Sequence, residues 1–118
     1  MDKISHAEMV GVLAKSREQI IADLSPKAAA IWHHATGIAT EAGEILDAAK
    51  KVAIYGREPD LDNFIEELGD IEFYLQGLRM ELELTREQTL EQNILKLGVR
   101  YREFKYSNEQ ALGRRDKG

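Results

Sequence analysis

Apolar residues recur at helical spacing along almost the whole chain, and no sustained alternation of apolar and polar residues predicts a strand. Both prolines stand near expected helix boundaries. The pattern therefore predicts an all-α protein whose four main helices form a bundle. We expect one domain over residues 1–118, with an N-terminal helix within residues 1–24 and a polar tail at residues 105–118.

Each predicted helix opens at a residue whose side-chain oxygen can accept a hydrogen bond from a free backbone amide. Ser5 with Glu8, and Thr85 with Gln88, also match the capping box. Gly56 suits a helix end, because glycine readily adopts the left-handed conformation found there. The helices are expected to run, with approximate ends, from Ser5 to Asp23, from Ser25 through Pro26 to Tyr55, from Asp60 or Asp62 to Leu84, and from Thr85 to Phe104.

A short acidic motif occurs twice, as Glu41-Ala42-Gly43-Glu44 and as Glu67-Leu68-Gly69-Asp70. Each copy places a glycine in the middle of a predicted helix, where glycine costs about 0.5–1 kcal/mol relative to alanine. Two glycines at matching positions of the motif predict that the second and third helices approach each other closely at Gly43 and Gly69.

Both copies of the motif present two carboxylates on one face of a helix, because residues three apart lie one turn apart. Apolar residues occupy the opposite faces, so both helices are amphipathic. Those apolar residues are Ala35, Ala39, Ala42, Leu46, Ala49 and Ala53 on the second helix, and Ile65, Leu68 and Leu75 on the third.

If the two acidic faces meet, four carboxylates share one pocket, and several of them must bind protons unless a cation is present. Carboxylate oxygens without histidine or cysteine ligands favour Mg²⁺ or Mn²⁺ over zinc. Mg²⁺ also tends to keep several waters and to complete its shell with substrate phosphates. The residues alone leave a second interpretation open, in which both acidic faces are simply solvated.

Three segments resemble a known family: GIATEAGEILDAAKKVAIYGRE, NFIEELGDIEFYL and NILKLGVRY, with Arg115-Asp116 further on. Over about residues 30–116 the chain is similar to the MazG-like all-α nucleoside triphosphate pyrophosphohydrolases, whose hallmark is E-x-x-E on one helix and E-x-x-D on the next. The chain departs from many members at Thr40, where they carry a further glutamate. The resemblance implies that Mg²⁺, or Mn²⁺ in its place, binds the carboxylates of Glu41, Glu44, Glu67 and Asp70.

The resemblance also implies a reaction, the hydrolysis of a (deoxy)nucleoside triphosphate to a monophosphate and pyrophosphate for the upkeep of nucleotide pools. Metal-bound water would attack the α–β phosphate linkage, and either Glu41 or Glu44 would accept its proton. Related activities on phosphoribosyl-ATP, or on dUTP or dCTP alone, are alternatives within the superfamily. An alternative of another class is a non-catalytic helical module whose acidic face binds a basic partner.

Basic residues near the motif are candidates for contact with the substrate's phosphates. Asn93, Lys96 and Arg100 share one face of the last helix and resemble the family's N-x-x-K-L segment. Lys51 lies on the acidic face of the second helix, where it can pair with a carboxylate or reach a phosphate, and Lys50 is a weaker candidate.

Aromatic and imidazole side chains are candidates for contact with the base. Tyr74 lies one turn beyond Asp70, and His33 and His34 lie about two turns before Glu41. Trp32 falls on the apolar side of its helix, so we expect it to pack in a core.

Charge and composition narrow the possible functions. The chain has no cysteine, which excludes disulfides, thiolate metal sites and a cysteine nucleophile. Its net charge is −5, which argues against nucleic acid as a general partner. Residues 58–72 carry seven acids and no base, whereas residues 96–118 carry a net charge of +4. Such a division suits a site that holds a cation and a phosphate.

Two further expectations concern location and assembly. No apolar run reaches the ~18 residues of a membrane helix, and the first residues do not resemble a signal peptide. We therefore expect a cytoplasmic protein. The apolar third and fourth helices, together with the family resemblance, predict a homodimer or homotetramer.

Overall fold

The computed structural model describes residues 3–101, and within that range every regular element is a helix. The all-α prediction is therefore confirmed for these residues. The five helices are α1 (His6–Leu13), α2 (Arg17–Asp23), α3 (Pro26–Ala53), α4 (Leu61–Glu81) and α5 (Arg86–Arg100).

The first predicted helix is two helices, so the prediction of one helix from Ser5 to Asp23 is wrong. The chain leaves the helical conformation after Leu13 and re-enters it at Arg17. Ser16 has extended backbone angles (φ −70°, ψ 156°), and its hydroxyl accepts a hydrogen bond from the Gln19 amide at 3.1 Å. Ser16 and Gln19 thus form an N-cap that was readable in the sequence and that starts a new helix.

The other helix starts follow the expected caps. The hydroxyl of Ser25 accepts a hydrogen bond from the Ala28 amide at 3.1 Å, and Pro26 occupies the first turn. Asp60, rather than Asp62, caps α4. Thr85 and Gln88 form the reciprocal capping box, in which each side chain accepts a hydrogen bond from the other residue's amide.

The ends of α3 and α4 agree with the sequence to within three residues, whereas α5 ends at Arg100, four residues before the predicted Phe104. α3 ends at Ala53 and α4 at Glu81, a little before the predicted Tyr55 and Leu84. Gly56 has a φ of +63°, as its expected role in terminating the second helix requires. The predicted end near Phe104, the polar tail and Arg115-Asp116 lie outside the described residues.

α3 and α4 form the one extensively packed pair of helices among residues 3–101. They run antiparallel, because Gly37 faces Tyr74, whereas His34, three residues earlier on α3, faces Gly77, three residues later on α4. α1, α2 and α5 make few contacts with the rest of the described chain. The observed architecture is therefore a helical hairpin with three lightly attached helices, and not a closed four-helix bundle.

The close approach of α3 and α4 takes place at Gly37 and Gly77, so its predicted location at Gly43 and Gly69 is wrong. A Cβ atom on Gly37 would overlap the Tyr74 ring, and one on Gly77 would overlap the His34 ring. A Cβ atom on Gly43 or Gly69 would meet no atom within 4 Å. Each motif glycine stands one residue before the second acid, and that step turns it about 100° away from the acidic face.

The hairpin buries little apolar surface. Ala48, 5% exposed, is the only buried apolar side chain of the described residues, and Gly37 is the other buried residue. Large apolar side chains on both helices stay exposed, among them Trp32, Leu46, Ile65, Leu68 and Phe73. The apolar faces identified in the sequence thus stay largely exposed, although Ala49 and Leu75 on these faces are half-buried.

None of the helices in the described range has the length and apolar composition needed to cross a membrane.

Candidate metal and nucleotide site

Three of the four predicted carboxylates meet between α3 and α4. Glu41, Glu67 and Asp70 each offer a carboxylate oxygen, and these oxygens lie within 4.8 Å of one another. The antiparallel register brings them together, because the contacts that pair Gly37 with Tyr74 also set Glu41 level with Asp70. We call these three residues the carboxylate cluster.

The fourth predicted carboxylate, Glu44, lies outside this group of three. It is exposed on α3, one turn beyond Glu41. Its charge nevertheless acts on the cluster, because it contributes to raising the pKa of Glu67. Glu44 is therefore a neighbour of the cluster with a carboxylate open to solvent.

Glu67 occupies the most enclosed position of the cluster. Its Oε2 atom is buried and has no hydrogen-bond partner, although the residue as a whole is only half-buried. A buried acceptor left without a donor destabilises the folded state. A proton or a cation at this oxygen would remove that cost.

The surroundings of Glu67 favour its protonated form. Desolvation raises the pKa of Glu67, and the negative charges of the neighbouring carboxylates of Glu41, Asp70 and Glu44 raise it further. Without a cation, the cluster therefore holds a proton at a higher pH than isolated glutamates would.

We expect this proton to make stability depend on pH. From pH 4.5, the ordinary pKa of this side chain, up to its raised folded pKa, the unfolded chain has released a proton that the folded chain still binds. Stability contributed by Glu67 therefore falls as pH rises through this window. In metal-free buffer, the thermal midpoint of Glu67→Gln should fall less over this window than that of the wild type. Superimposable profiles for the two proteins would contradict this expectation.

The donor set of the cluster fits a hard divalent cation. It consists of carboxylate oxygens alone, from two half-buried residues and one exposed residue. One of these oxygens lacks a hydrogen-bond donor, and the clustered negative charges repel one another. Oxygen ligands of this kind suit Mg²⁺ or Mn²⁺ better than softer metals.

The predicted lysines of α3 have local partners. The ammonium group of Lys51 lies 3.8 Å from the carboxylate of Asp47, which is one of the pairings that the sequence left open. The ammonium group of Lys50 lies 5.9 Å from the centre of the Tyr55 ring, a cation–π distance. An exposed ion pair of this kind is weak, so Lys51 remains free to exchange Asp47 for an anion.

Lys51 also borders a cavity of about 140 Å³ at the loop end of the hairpin, which the sequence interpretation missed. Its lining includes Arg57 and Asn63 as well as the acids Glu58 and Asp60. Residues of α3, of the α3–α4 loop and of α4 line this cavity together. The spacing of residues along one helix therefore could not predict it.

His33, His34 and Tyr74 come together on the opposite side of the cluster from Lys51. The centre of the His33 ring lies 5.3 Å from that of His34 and 6.1 Å from that of Tyr74. His34 is half-buried against Gly77, and its Nδ1 atom is buried without a hydrogen-bond partner, whereas His33 is exposed. Trp32 is 66% exposed, so among residues 3–101 it does not take the core position that the sequence predicted for it.

The predicted residues of α5 are not brought to the cluster by helix packing. Asn93, Lys96 and Arg100 all lie on α5, which packs extensively against no other described helix. Their assignment to the substrate stays a prediction.

No family model, curated protein or solved structure matches this chain. The function of the cluster is therefore inferred from its chemistry and from the order of side chains along the hairpin. In that order, the imidazole and tyrosine rings come first, the carboxylates second, and Lys51 with Arg57 last.

Proposed function

We propose that the chain is a Mg²⁺-dependent nucleoside triphosphate pyrophosphohydrolase that releases a monophosphate and pyrophosphate, and that Mn²⁺ can replace Mg²⁺. The observation that carries the proposal is the carboxylate cluster of Glu41, Glu67 and Asp70 between α3 and α4. The resemblance of the two acidic motifs to the MazG-like family supplies the reaction. Maintenance of the nucleotide pool is the role we infer for it.

The cation would be held by Glu41, Glu67 and Asp70, with Glu44 beside them. Once bound, Mg²⁺ offsets negative charge on the phosphates and lowers the pKa of a coordinated water. The chain contributes fixed positions, because the close contacts at Gly37 and Gly77 hold the two helices in one register. Cation binding would also satisfy the partnerless oxygen of Glu67.

Glu44 is the better candidate for the general base. Glu41 belongs to the group of three converging carboxylates, whereas Glu44 is exposed and outside that group. A carboxylate that is not a cation ligand keeps its lone pairs available to accept a proton from the attacking water.

The residues proposed to contact the substrate lie along the hairpin in the order of the groups of a nucleotide, from base to phosphates. His33 and Tyr74 lie on one side of the carboxylates, where their rings can stack on a base. Lys51 lies on the other side, about 10 Å along α3 from Glu44 by the helical rise, where a long basic side chain can reach the terminal phosphates. Lys96 and Arg100 of α5 are further phosphate candidates, and we propose that the active species is a homodimer or homotetramer.

A panel of nucleotides tests this function. We expect pyrophosphate, and not inorganic phosphate, to appear when the protein is incubated with (d)NTPs and Mg²⁺, and we expect no product in EDTA. The panel should include dUTP, dCTP and phosphoribosyl-ATP, because the sequence does not identify the base or sugar. Absence of turnover with every nucleotide, together with a melting temperature that Mg²⁺ does not raise, would favour the non-catalytic helical module.

A further inference from the structure

The cavity at the loop end of the α3–α4 hairpin combines two basic side chains with apolar ones. We call this space of about 140 Å³ the tip cavity. Lys51 and Arg57 contribute the positive charges, and Ala48, 5% exposed, and the half-buried Val52 contribute apolar surface. Apolar surroundings strengthen the attraction between opposite charges, because they lower the local dielectric constant.

The turn that follows α3 places Arg57 beside Lys51. Gly56 has a φ of +63°, which glycine adopts readily, and its amide donates a hydrogen bond to the Val52 carbonyl at 3.2 Å. The Arg57 amide then donates a hydrogen bond to the Lys51 carbonyl at 3.1 Å. These bonds hold the backbones of the two basic residues together, and both side chains line the tip cavity.

The acids that line the tip cavity do not neutralise its basic groups. Among residues 3–101, the guanidinium group of Arg57 forms no ion pair with Glu58 or Asp60. Asp60 is instead the N-cap of α4, where its carboxylate accepts a hydrogen bond from an amide of the first turn at 3.2 Å. Lys51 pairs with Asp47 in an exposed ion pair, which contributes little and exchanges readily.

The tip cavity begins one helical turn beyond the acidic motifs. Asn63, which lines the cavity, precedes Glu67 by four residues and so lies about 6 Å from it along α4. Ala48 stands in the same relation to Glu44 on α3. A triphosphate chain whose α-phosphate lies at the carboxylate cluster can span this distance and enter the cavity.

We propose that the tip cavity binds a pyrophosphate group and that Arg57 anchors it. A guanidinium group presents a planar fork of N–H donors that fits two phosphate oxygens, Lys51 adds a second positive charge, and the Asn63 side chain offers an amide donor. The inference rests on the proposed function, in which pyrophosphate is the leaving group. It adds an anchoring residue and a form of regulation, since pyrophosphate retained in the cavity blocks the next substrate.

Titration calorimetry with inorganic pyrophosphate in EDTA tests this site without a cation and without turnover. We expect the wild type to bind pyrophosphate, and Arg57→Gln to bind it at least about 10-fold more weakly, because charge-assisted hydrogen bonds are lost. Lys51→Gln should also weaken binding. Lys50→Gln is the matched control, since Lys50 does not line the cavity and lies 5.9 Å from the Tyr55 ring centre. Glu58→Gln should bind pyrophosphate more tightly, because it removes a like charge.

Nucleotides distinguish free pyrophosphate from the same group within a substrate. In EDTA, a nucleoside triphosphate should displace pyrophosphate from the cavity, whereas a nucleoside monophosphate should not. With Mg²⁺ present, added pyrophosphate should raise the apparent KM for the nucleotide, and Arg57→Gln should reduce that inhibition. Circular dichroism of each variant confirms that its helices are intact.

Three outcomes would overturn the proposal: no binding of pyrophosphate by the wild type, equal affinity in Arg57→Gln, or equal losses in Lys50→Gln and Lys51→Gln. Glu67→Gln should still bind pyrophosphate in EDTA, because Glu67 does not line the cavity, and loss of binding would place the anion at the carboxylates instead. Pyrophosphate binding without nucleotide turnover would support the tip cavity and reject the hydrolase. Turnover without pyrophosphate binding would reject the tip cavity alone.

Discussion

Replacing Glu67 with glutamine is expected to lower kcat/KM for Mg²⁺-dependent nucleotide hydrolysis at least about 100-fold. Glutamine has the shape of glutamate but removes the negative charge at the centre of the carboxylate cluster. Loss of a second-shell partner alone typically costs 10–100-fold, so loss of a direct ligand should cost at least as much. The rate of pyrophosphate release from one nucleotide, at concentrations well below KM, measures the effect.

Glu66→Gln is the matched control, because Glu66 is an exposed neighbour on the same helix and lies outside the cluster. It makes the same chemical change one residue away, and we expect it to keep nearly wild-type activity. Equal losses in the two variants would indicate a general effect of charge. Full activity in Glu67→Gln would show that the cluster is not the cation site.

Replacing Gly37 with alanine is expected to destabilise the protein by about 1–3 kcal/mol, the usual cost of overpacking a tight contact. The added methyl group would overlap the ring of Tyr74, which lies against Gly37 between the two helices. The free energy of unfolding, taken from urea titrations at one fixed protein concentration, measures this cost.

Gly43→Ala provides the opposite expectation on the same helix. Its Cβ atom meets no atom within 4 Å, so the gain in helix propensity should stabilise the protein by about 0.5–1 kcal/mol. In a Tyr74→Ala background, Gly37→Ala should cost less stability than it does in the wild type, because the clashing ring is gone. If Gly37→Ala were as stable as the wild type, the close contact at Tyr74 would not define the register of the hairpin.

The local features of the fold were readable from the sequence because they depend on residues a few positions apart. Ser25, Asp60 and Thr85 cap their helices through side chains that reach amides three residues away. The break before α2 has the same local signal at Ser16, but the helical pattern of apolar residues on both sides obscured it. Single-helix periodicity likewise identified the acidic faces correctly.

The packing of one helix against another was harder to predict from the sequence. The two motif glycines suggested a contact at Gly43, whereas the helices touch at Gly37 and Gly77, where ring side chains fill the space. That choice depends on which face of each helix turns toward the other, and one helix alone does not determine it. For the same reason, the sequence could not tell that Glu41 would join the cluster while Glu44 would lie outside it.

The apolar residues differ from the sequence prediction in their burial. Amphipathic helices predict burial, but they do not say which helix provides it. Trp32 and Leu46 are exposed on the back of the hairpin, so the described residues alone do not close the predicted bundle, for which oligomerisation was also predicted. The proposed dimer would provide the two missing helices.

A Mn²⁺ titration followed by amide NMR tests the central claim, that the carboxylates between α3 and α4 bind a divalent cation, most directly. Paramagnetic Mn²⁺ should broaden the Gly43 and Gly69 amide signals first, because these residues belong to the two acidic motifs. The Gly11 signal on α1 should persist, and excess Mg²⁺ should restore the others. Unchanged Gly43 and Gly69 signals at millimolar Mn²⁺, or broadening that is unaffected by Glu67→Gln, would contradict the claim.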